Sequence, residues 1–346
     1  MRAVRVRQFG GIDQLGVEDV PIPSPLPGQV LIRLRAAGLN QADILVREGR
    51  FIEIERQQRL PISPGVEGAG EVVAVGEGVT THKVEDRVVI LPMLTCHACP
   101  ACASGEVSRC PELRIVGEHC DGTYVEYIAL PAANALLAPP QPSWEQLAVS
   151  VVGYMTAWHM LLTRGGLRSG ETVVVVGAGS GMGSAAIQVA KSVGAAVIAT
   201  TGSDAKCGRA LEVGADHAVN YADRNDWHDA VKELTNGKGA DLVHDTVGGA
   251  TFQRSINALR HGGRLVCMGS HSGRSAEVQL VSIHRNEVDI RGCHTASMSE
   301  VREFLPKIGS DWLQPIVDTT FSMNEVQAAH ERLASPERFG KVALLL

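Results

Sequence analysis

The run Glu171 to Ser203, ETVVVVGAGSGMGSAAIQVAKSVGAAVIATTGS, constrains the fold more than any other stretch of this chain. Four valines, Val173 to Val176, suit a strand buried on both faces. Gly177, Gly179, Gly181 and Gly183 follow at alternate positions, and Ser184 to Val193 are mostly small or apolar, Gln188 and Lys191 apart, as in a helix pressed on a sheet. A second apolar strand ends in Ala199-Thr200-Thr201. Similar units recur as GADHAVNY (214–221), GADLVHDTVGG (239–249), GGRLVCMGS (262–270) and VDIRGCH (288–294). Short apolar strands alternating with helices predict an α/β doubly wound parallel sheet of Rossmann type.

A glycine turn between a strand and a helix has a chemical use. Glycines let backbone approach a pyrophosphate, and a helix N-terminus offers unpaired N–H groups and a positive dipole end. Gly179, Gly181, Met182 and Gly183 are therefore candidate dinucleotide contacts; the alternative is a turn serving close packing alone. The next strand ends in Thr201-Gly202-Ser203-Asp204-Ala205-Lys206. An NAD site usually carries a carboxylate at that tip to accept from the ribose 2′-hydroxyl. Here Thr201 and Ser203 hold the tip and Lys206 offers a cation to a 2′-phosphate, which favours NADPH; the counter-reading turns Asp204 to the ribose. Thr246, Val247 and Gly248 after one strand, and Met268 and Gly269 after the next, should line the same dinucleotide.

Residues 1 to about 150 read differently. Short β-like runs such as VLIRLRAAG (30–38), GEVVAVGEGV (70–79) and DRVVILP (86–92) alternate with Gly and Pro, which predicts a β-rich second domain. The stretch WEQLAVSVVGYMTAWHMLLTRGG (144–166) reads as helix, and FGKVALLL at the chain end as a further strand. With 346 residues there is chain enough for two domains. A net charge of -6 gives no basic footprint for nucleic acid. No apolar run reaches the ~18 residues that span a bilayer, and the start MRAVRVRQFGG has no signal core. These features point to a cytoplasmic protein that uses neither membrane nor nucleic acid.

Four of the eight cysteines are clustered: Cys96, Cys99, Cys102 and Cys110, spaced C-x2-C-x2-C-x7-C. Four thiolates fit a closed tetrahedral Zn2+ site that holds a lobe (about 93–112) and leaves no position for substrate. In a reducing compartment such spacing favours metal over two disulfides. Cys120, Cys207, Cys267 and Cys293 are isolated and read as small buried hydrophobes.

Taken in order, these motifs resemble the medium-chain dehydrogenase/reductase superfamily over nearly the whole chain. The resemblance rests on PGVEGAGEVVAVGEGV (64–79), the four-Cys lobe, DGTYVEYIALP (121–131), YMTAWHML (154–161), the glycine turn, GADHAVNY and the ending GKVALLL. It implies a GroES-like β-rich catalytic domain, 1–152 and 293–346, around a Rossmann domain, 153–292. It also implies a homodimer or tetramer and a small-molecule substrate in the cleft between domains. At the three places where zinc alcohol dehydrogenases carry catalytic ligands, this chain has Asn40, Val66 and about Val152. Valine cannot bind a metal and an amide is a poor ligand beside thiolate, so the expectation is one structural zinc and no catalytic one.

Asn40-Gln41-Ala42-Asp43 with Arg47, and TAWHML, instead look like the quinone oxidoreductase branch, most of which lacks the four-Cys lobe. The resemblance places Asn40, Asp43 and Thr156 near the nicotinamide. It suggests Asn40 as a donor to an acceptor oxygen or the ribose, an Asp43–Arg47 ion pair, Tyr221 beside the adenosine phosphate, and Lys341 facing the cofactor. Glu67 reads as a remnant of the metal triplet that now pairs with a cation. Tyr154 is the candidate proton donor, with a core tyrosine as its plain alternative; His119 and His159 read as structural. Without a Lewis acid, hydride removal from an alcohol is harder, whereas hydride addition to a quinone or α,β-unsaturated carbonyl needs only hydrogen-bond donors. The chain thus reads as an NADPH-dependent quinone or enone reductase. A zinc alcohol dehydrogenase with rebuilt ligands and a non-catalytic, crystallin-like NADPH binder are the competing readings. The Phe51 to Leu60 loop is expected to set acceptor size.

Overall fold

The computed structural model describes residues 1–50 and 60–346. The acceptor-size loop therefore lies, except for Leu60, outside the described residues. The chain divides into two compact units: Met1–Val152 with Ser297–Gly309 and Pro315–Leu346, and Gly153–Ala296 with Ser310–Gln314.

The second unit is built on a six-stranded sheet. Its spatial order is His217–Asn220, Ala196–Thr201, Thr172–Val176, Ala240–Asp245, Leu259–Cys267 and Asp289–Gly292, and every adjacent pair is parallel. Numbered along the chain this is 3-2-1-4-5-6, the Rossmann order, in which the strand sequence reverses beside the first strand. Val173 to Val176 are at most 1% exposed, so the valine run is central and covered on both faces. Val174, Val176, Ile198 and Val243 pack with Trp227, Ala230, Val231 and Ile256 in one core.

The first unit is β-rich. One sheet runs in the order Val317–Ser322, Lys341–Leu345, Gln29–Gly38, Glu67–Val75, Arg87–Ile90 and Ala135–Leu137, with Tyr127–Pro131 also pairing Gln29–Gly38. The terminal strand Lys341–Leu345 lies antiparallel to Gln29–Gly38, with Ala343 opposite Gly38, and this register brings Lys341 to the region just beyond Gly38. A two-stranded ribbon, Met93–Leu94 with Arg114–Ile115, closes the base of the cysteine lobe.

The helix expected over 144–166 is broken. Trp144–Ala148 ends at Val149, and a new helix, Val152–Trp158, continues into a one-turn π-helix, His159–Arg164. Ser150 Oγ donates to Leu147 O at 2.8 Å, a local bond that competes with helix continuation. The break coincides with the border between the two units. Among the described residues no helix is long and apolar enough to cross a membrane.

Candidate functional site

In the doubly wound unit the predicted dinucleotide residues collect at the carboxyl ends of the strands. Ser180 caps the helix Gly181–Ser192 by accepting from Gly183 N at 2.9 Å. The first-turn amides of Gly181 and Met182 have no intrahelical acceptor, which is the arrangement that receives phosphate. Gly183 permits the close approach: a Cβ there would sit 2.5 Å from Gly177 O and 2.6 Å from Ala178 Cα. Gly153, on the helix Val152–Trp158, also lies near this turn, an added Cβ there sitting 3.1 Å from Gly181 O.

At the neighbouring strand end, Ser203 caps the helix Asp204–Glu212, and Thr201 Oγ1 lies 3.1 Å from both Ser203 O and Cys207 Sγ. Asp204 Oδ1 accepts from Asn220 Nδ2 at 2.9 Å, so one of its oxygens is engaged with the adjacent strand. Tyr221 N donates to Thr201 O, and the Tyr221 ring packs against Gly202. Lys206 lies in the first turn of the same helix.

Asp245 was not foreseen, and it organises the next two loops. This fully buried carboxylate accepts from Val247 N (2.8 Å), Gly248 N (2.9 Å), Thr251 Oγ1 (3.1 Å) and Ser255 Oγ (2.7 Å). It thereby fixes the turn carrying Thr246, Val247 and Gly248. Met268 N donates to Asp245 O at 3.0 Å, and a Cβ on Gly269 would meet Thr246 O at 2.6 Å. The loops after the two strands thus touch backbone to backbone, and Val247 reaches the glycine turn at Gly177. The sequence signal was an Asp immediately before a Thr-Val-Gly-Gly turn. Thr156 is fully buried with its hydroxyl unpartnered. Tyr154 is different: its hydroxyl donates to Gln188 Oε1 at 3.0 Å and burial pushes its pKa up, the setting of a core tyrosine.

In the β-rich unit, a polar network surrounds Asn40. This residue caps the helix Gln41–Arg47 in a reciprocal capping box with Asp43, and its backbone N–H donates to Asp43 Oδ2 at 2.8 Å. Its amide nitrogen donates to Glu67 Oε1 at 3.0 Å and Gly38 O at 3.3 Å. Its amide oxygen accepts from Lys341 Nζ at 2.6 Å. The cation expected beside Glu67 is Lys341, at 2.6 Å, while the second oxygen of Glu67 accepts from Val152 N at 2.8 Å. Val66 is buried and apolar.

The expected Asp43–Arg47 ion pair does not form. Asp43 Oδ2 instead accepts from Tyr124 OH at 2.7 Å. Arg47 pairs with Glu48 at 2.6 Å and meets His330 Nδ1 at 3.2 Å. Burial pushes the Asp43 carboxyl up to about 6 against the bonds from Tyr124 and Asn40; its Oδ1 has no partner. Burial, with Arg47 adding to it, pulls His330 down to about 3. His119 Nδ1 accepts from Ile115 N at 3.0 Å, a structural role.

The four lobe cysteines present sulfurs all within 4.8 Å of one another. Cys96 Sγ lies 3.9 Å from Cys102 Sγ and 3.6 Å from Cys110 Sγ. Thiolates about 2.3 Å from a tetrahedral zinc ion are spaced about 3.8 Å apart, so the donor set fits that ion and its spacing is far longer than a disulfide's. Backbone hydrogen bonds from Ala98 and Cys99 hold the Cys96 thiol down to about 7, and Cys102 N donates to Cys99 Sγ at 3.4 Å. Among the described residues this is the one His, Cys, Asp and Glu grouping able to hold a metal.

Comparison with known proteins agrees with this architecture. The alcohol dehydrogenase GroES-like domain family matches residues 26–140, and the zinc-binding dehydrogenase family matches 181–310. A zinc-type alcohol dehydrogenase-like protein of Schizosaccharomyces pombe is 31% identical over 99% of both chains. The quinone oxidoreductase of Lama guanicoe is 30% identical over 100% of this chain and 98% of its own. A crystal structure of an NAD-dependent alcohol dehydrogenase superposes with a TM-score of 0.94 at 40% identity, covering 100% of each chain. With both domains matched and relatives aligned end to end, the chain belongs to the medium-chain dehydrogenase/reductase superfamily.

Proposed function

We propose that this oxidoreductase uses NADPH to deliver hydride to a quinone or an α,β-unsaturated carbonyl, with one structural zinc in the cysteine lobe and no catalytic metal. The observation that carries the reading is the state of the three positions that the resemblance matches to catalytic ligands, the third of them near Val152. Val66 and Val152 have no donor side chain, and the Asn40 amide is taken up by Lys341, Glu67 and Gly38.

The chain's own residues fit the cofactor. The Gly179 to Gly183 turn would hold the pyrophosphate, Tyr221 would pack by the adenosine, and Thr201, Ser203 and Lys206 would take the 2′-phosphate. Thr246, Val247, Met268 and Gly269 would line the ribose side, and the unpartnered Thr156 hydroxyl would meet the nicotinamide end. When bound, the dinucleotide supplies the hydride. The protein binds, orients and excludes water, and solvent supplies the proton, since the Tyr154 hydroxyl is committed to Gln188. A homo-oligomer in the cytoplasm accompanies this reading.

A second reading has a specific support. Two relatives bear the name NAD-dependent alcohol dehydrogenase, one of them from Sulfurisphaera tokodaii at 30% identity. Zinc content of the active protein separates the two. About one zinc per chain, matching one closed four-thiolate site, is the expected result; about two, with turnover following the second, would favour the alcohol dehydrogenase.

A further inference from the structure

The tip that follows the strand Ala196–Thr201 holds two groups of opposite use, Asp204 and Lys206. A carboxylate at this place accepts from a ribose 2′-hydroxyl and repels a 2′-phosphate, and a cation does the reverse. Asp204 is the one acid between Thr201 and Lys206, so the place where its side chain is held bears on which dinucleotide fits. The holder is Asn220, at the end of the adjacent strand His217–Asn220. Its Nδ2 donates to Asp204 Oδ1 at 2.9 Å and to Asp223 Oδ2 at 2.6 Å. An amide nitrogen has two hydrogens, and these bonds spend both. Its Oδ1 accepts from Ala222 N at 3.1 Å, a local turn contact typical of Asn. That contact fixes the amide's orientation, since a flipped amide would set its oxygen against two carboxylates. The main chain is tied as well: Asn220 O accepts from Arg224 N at 3.1 Å, and Tyr221 N donates to Thr201 O at 2.9 Å.

Direction matters here. The strand His217–Asn220 is at the edge of the sheet, on the opposite side of Ala196–Thr201 from the strand Thr172–Val176 that leads into the glycine turn. An anchored donor on that edge therefore draws Asp204 away from the side where the dinucleotide's phosphates would lie. Ser203 leaves a donor in its place. Its Oγ accepts from Lys206 N at 3.4 Å, and a hydroxyl that accepts keeps its own hydrogen to donate. We propose that Asn220 is a specificity-determining residue for cofactor choice: it tethers Asp204 to the sheet edge, so the tip offers donors to a 2′-phosphate instead of a carboxylate to a 2′-hydroxyl. The inference rests on the NADPH reading and names the contact that enforces it. Released from Asn220, Asp204 becomes an acceptor for the 2′-hydroxyl of NADH and a repelling charge for NADPH.

The test is the affinity of the full chain for NADPH and for NADH, read by nicotinamide fluorescence. Calorimetric titration of adenosine 2′,5′-bisphosphate against AMP reports the 2′ position without any nicotinamide. Asn220→Ala should lower the NADPH-over-NADH affinity ratio about tenfold, the worth of one hydrogen bond to a charged group. The bisphosphate-over-AMP ratio should fall with it. In a chain that already carries Asp204→Ala, the same substitution should change either ratio by less than about twofold, because the group it releases is gone. Asp223→Ala, which removes the other carboxylate on the amide, should leave the ratios within about twofold of wild type. An unchanged ratio in Asn220→Ala would overturn the assignment. So would a fall of equal size with and without Asp204, which would mean that Asn220 acts through its turn. Should Asn220→Ala lower the melting temperature, Asn220→Ser keeps an oxygen for Ala222 N and still removes the amide donors. It should show the same fall, and an unchanged ratio there would again overturn the proposal. A wild-type chain that prefers NADH would refute the NADPH reading, and this assignment with it. A wild-type preference for NADPH that survives Asn220→Ala would refute the assignment alone.

Discussion

Asp43 shows what a single residue can conceal. Its spacing from Arg47, four along a helix, is that of an exposed ion pair. Both side chains are buried, however, and each finds a partner far away in sequence: Tyr124 for Asp43 and His330 for Arg47. Spacing reports which residues share a helix face, not what covers that face. The consequence is measurable. Asp43 titrates near 6 when folded, up from 3.8, because burial disfavours its charge. A carboxyl with a raised folded-state pKa binds its proton more tightly when folded, so it loses stability as pH rises from about 4 to about 6. Two pKa units correspond to about 3 kcal/mol. Urea unfolding of wild type and Asp43→Asn across that range should show the wild type losing about 2–3 kcal/mol relative to the variant as pH rises. A constant difference would show that Asp43 ionises normally. Taking the difference cancels His330, whose depressed value acts oppositely, its stabilisation being lost as pH falls from 6.5 toward 3.

Among elements, the glycine turn and the cysteine lobe were legible because each carries its reason locally. Gly183→Ala should place a methyl against Gly177 O and Ala178 Cα. Such overpacking costs about 1–3 kcal/mol, read as a lower melting temperature together with weakened dinucleotide binding; an unchanged affinity would remove this turn from the phosphate site. Chelation should release zinc and raise amide exchange between Met93 and Ile115, while the parallel sheet stays protected. Loss of two mass units per cysteine pair, with no zinc, would instead mark disulfides. The break between Ala148 and Val152 was not legible, since only Ser150 interrupts the valines there and no Gly or Pro marks it until Gly153. Nor was the hold of Asp245 on two loops, which depends on strands adjacent in the sheet but not described by any motif.

At the scale of the whole molecule, alternation of strand and helix was enough to give the parallel sheet, and the motif order gave the superfamily. The β-rich unit's strand partners were beyond sequence reasoning, because the strand Lys341–Leu345 joins Gln29–Gly38 across nearly the entire chain. That pairing is what delivers Lys341 to Asn40. Cofactor choice belongs to this scale too. Lys206→Ala should raise the KM for NADPH about tenfold, as expected for one charge-assisted contact of roughly 1.5 kcal/mol, and leave the KM for NADH nearly unchanged. Equal effects on both would return the choice to Asp204.

The central claim is hydride reduction of an electron-poor acceptor without a catalytic metal. The direct measurement is steady-state NADPH oxidation against an ortho-quinone, a medium-chain enone and a simple aldehyde, with NADH as control. Turnover of the quinone or the enone with NADPH, and none of the aldehyde, is the result the structure leads us to expect. Turnover of the aldehyde alone would contradict it and require a second metal site.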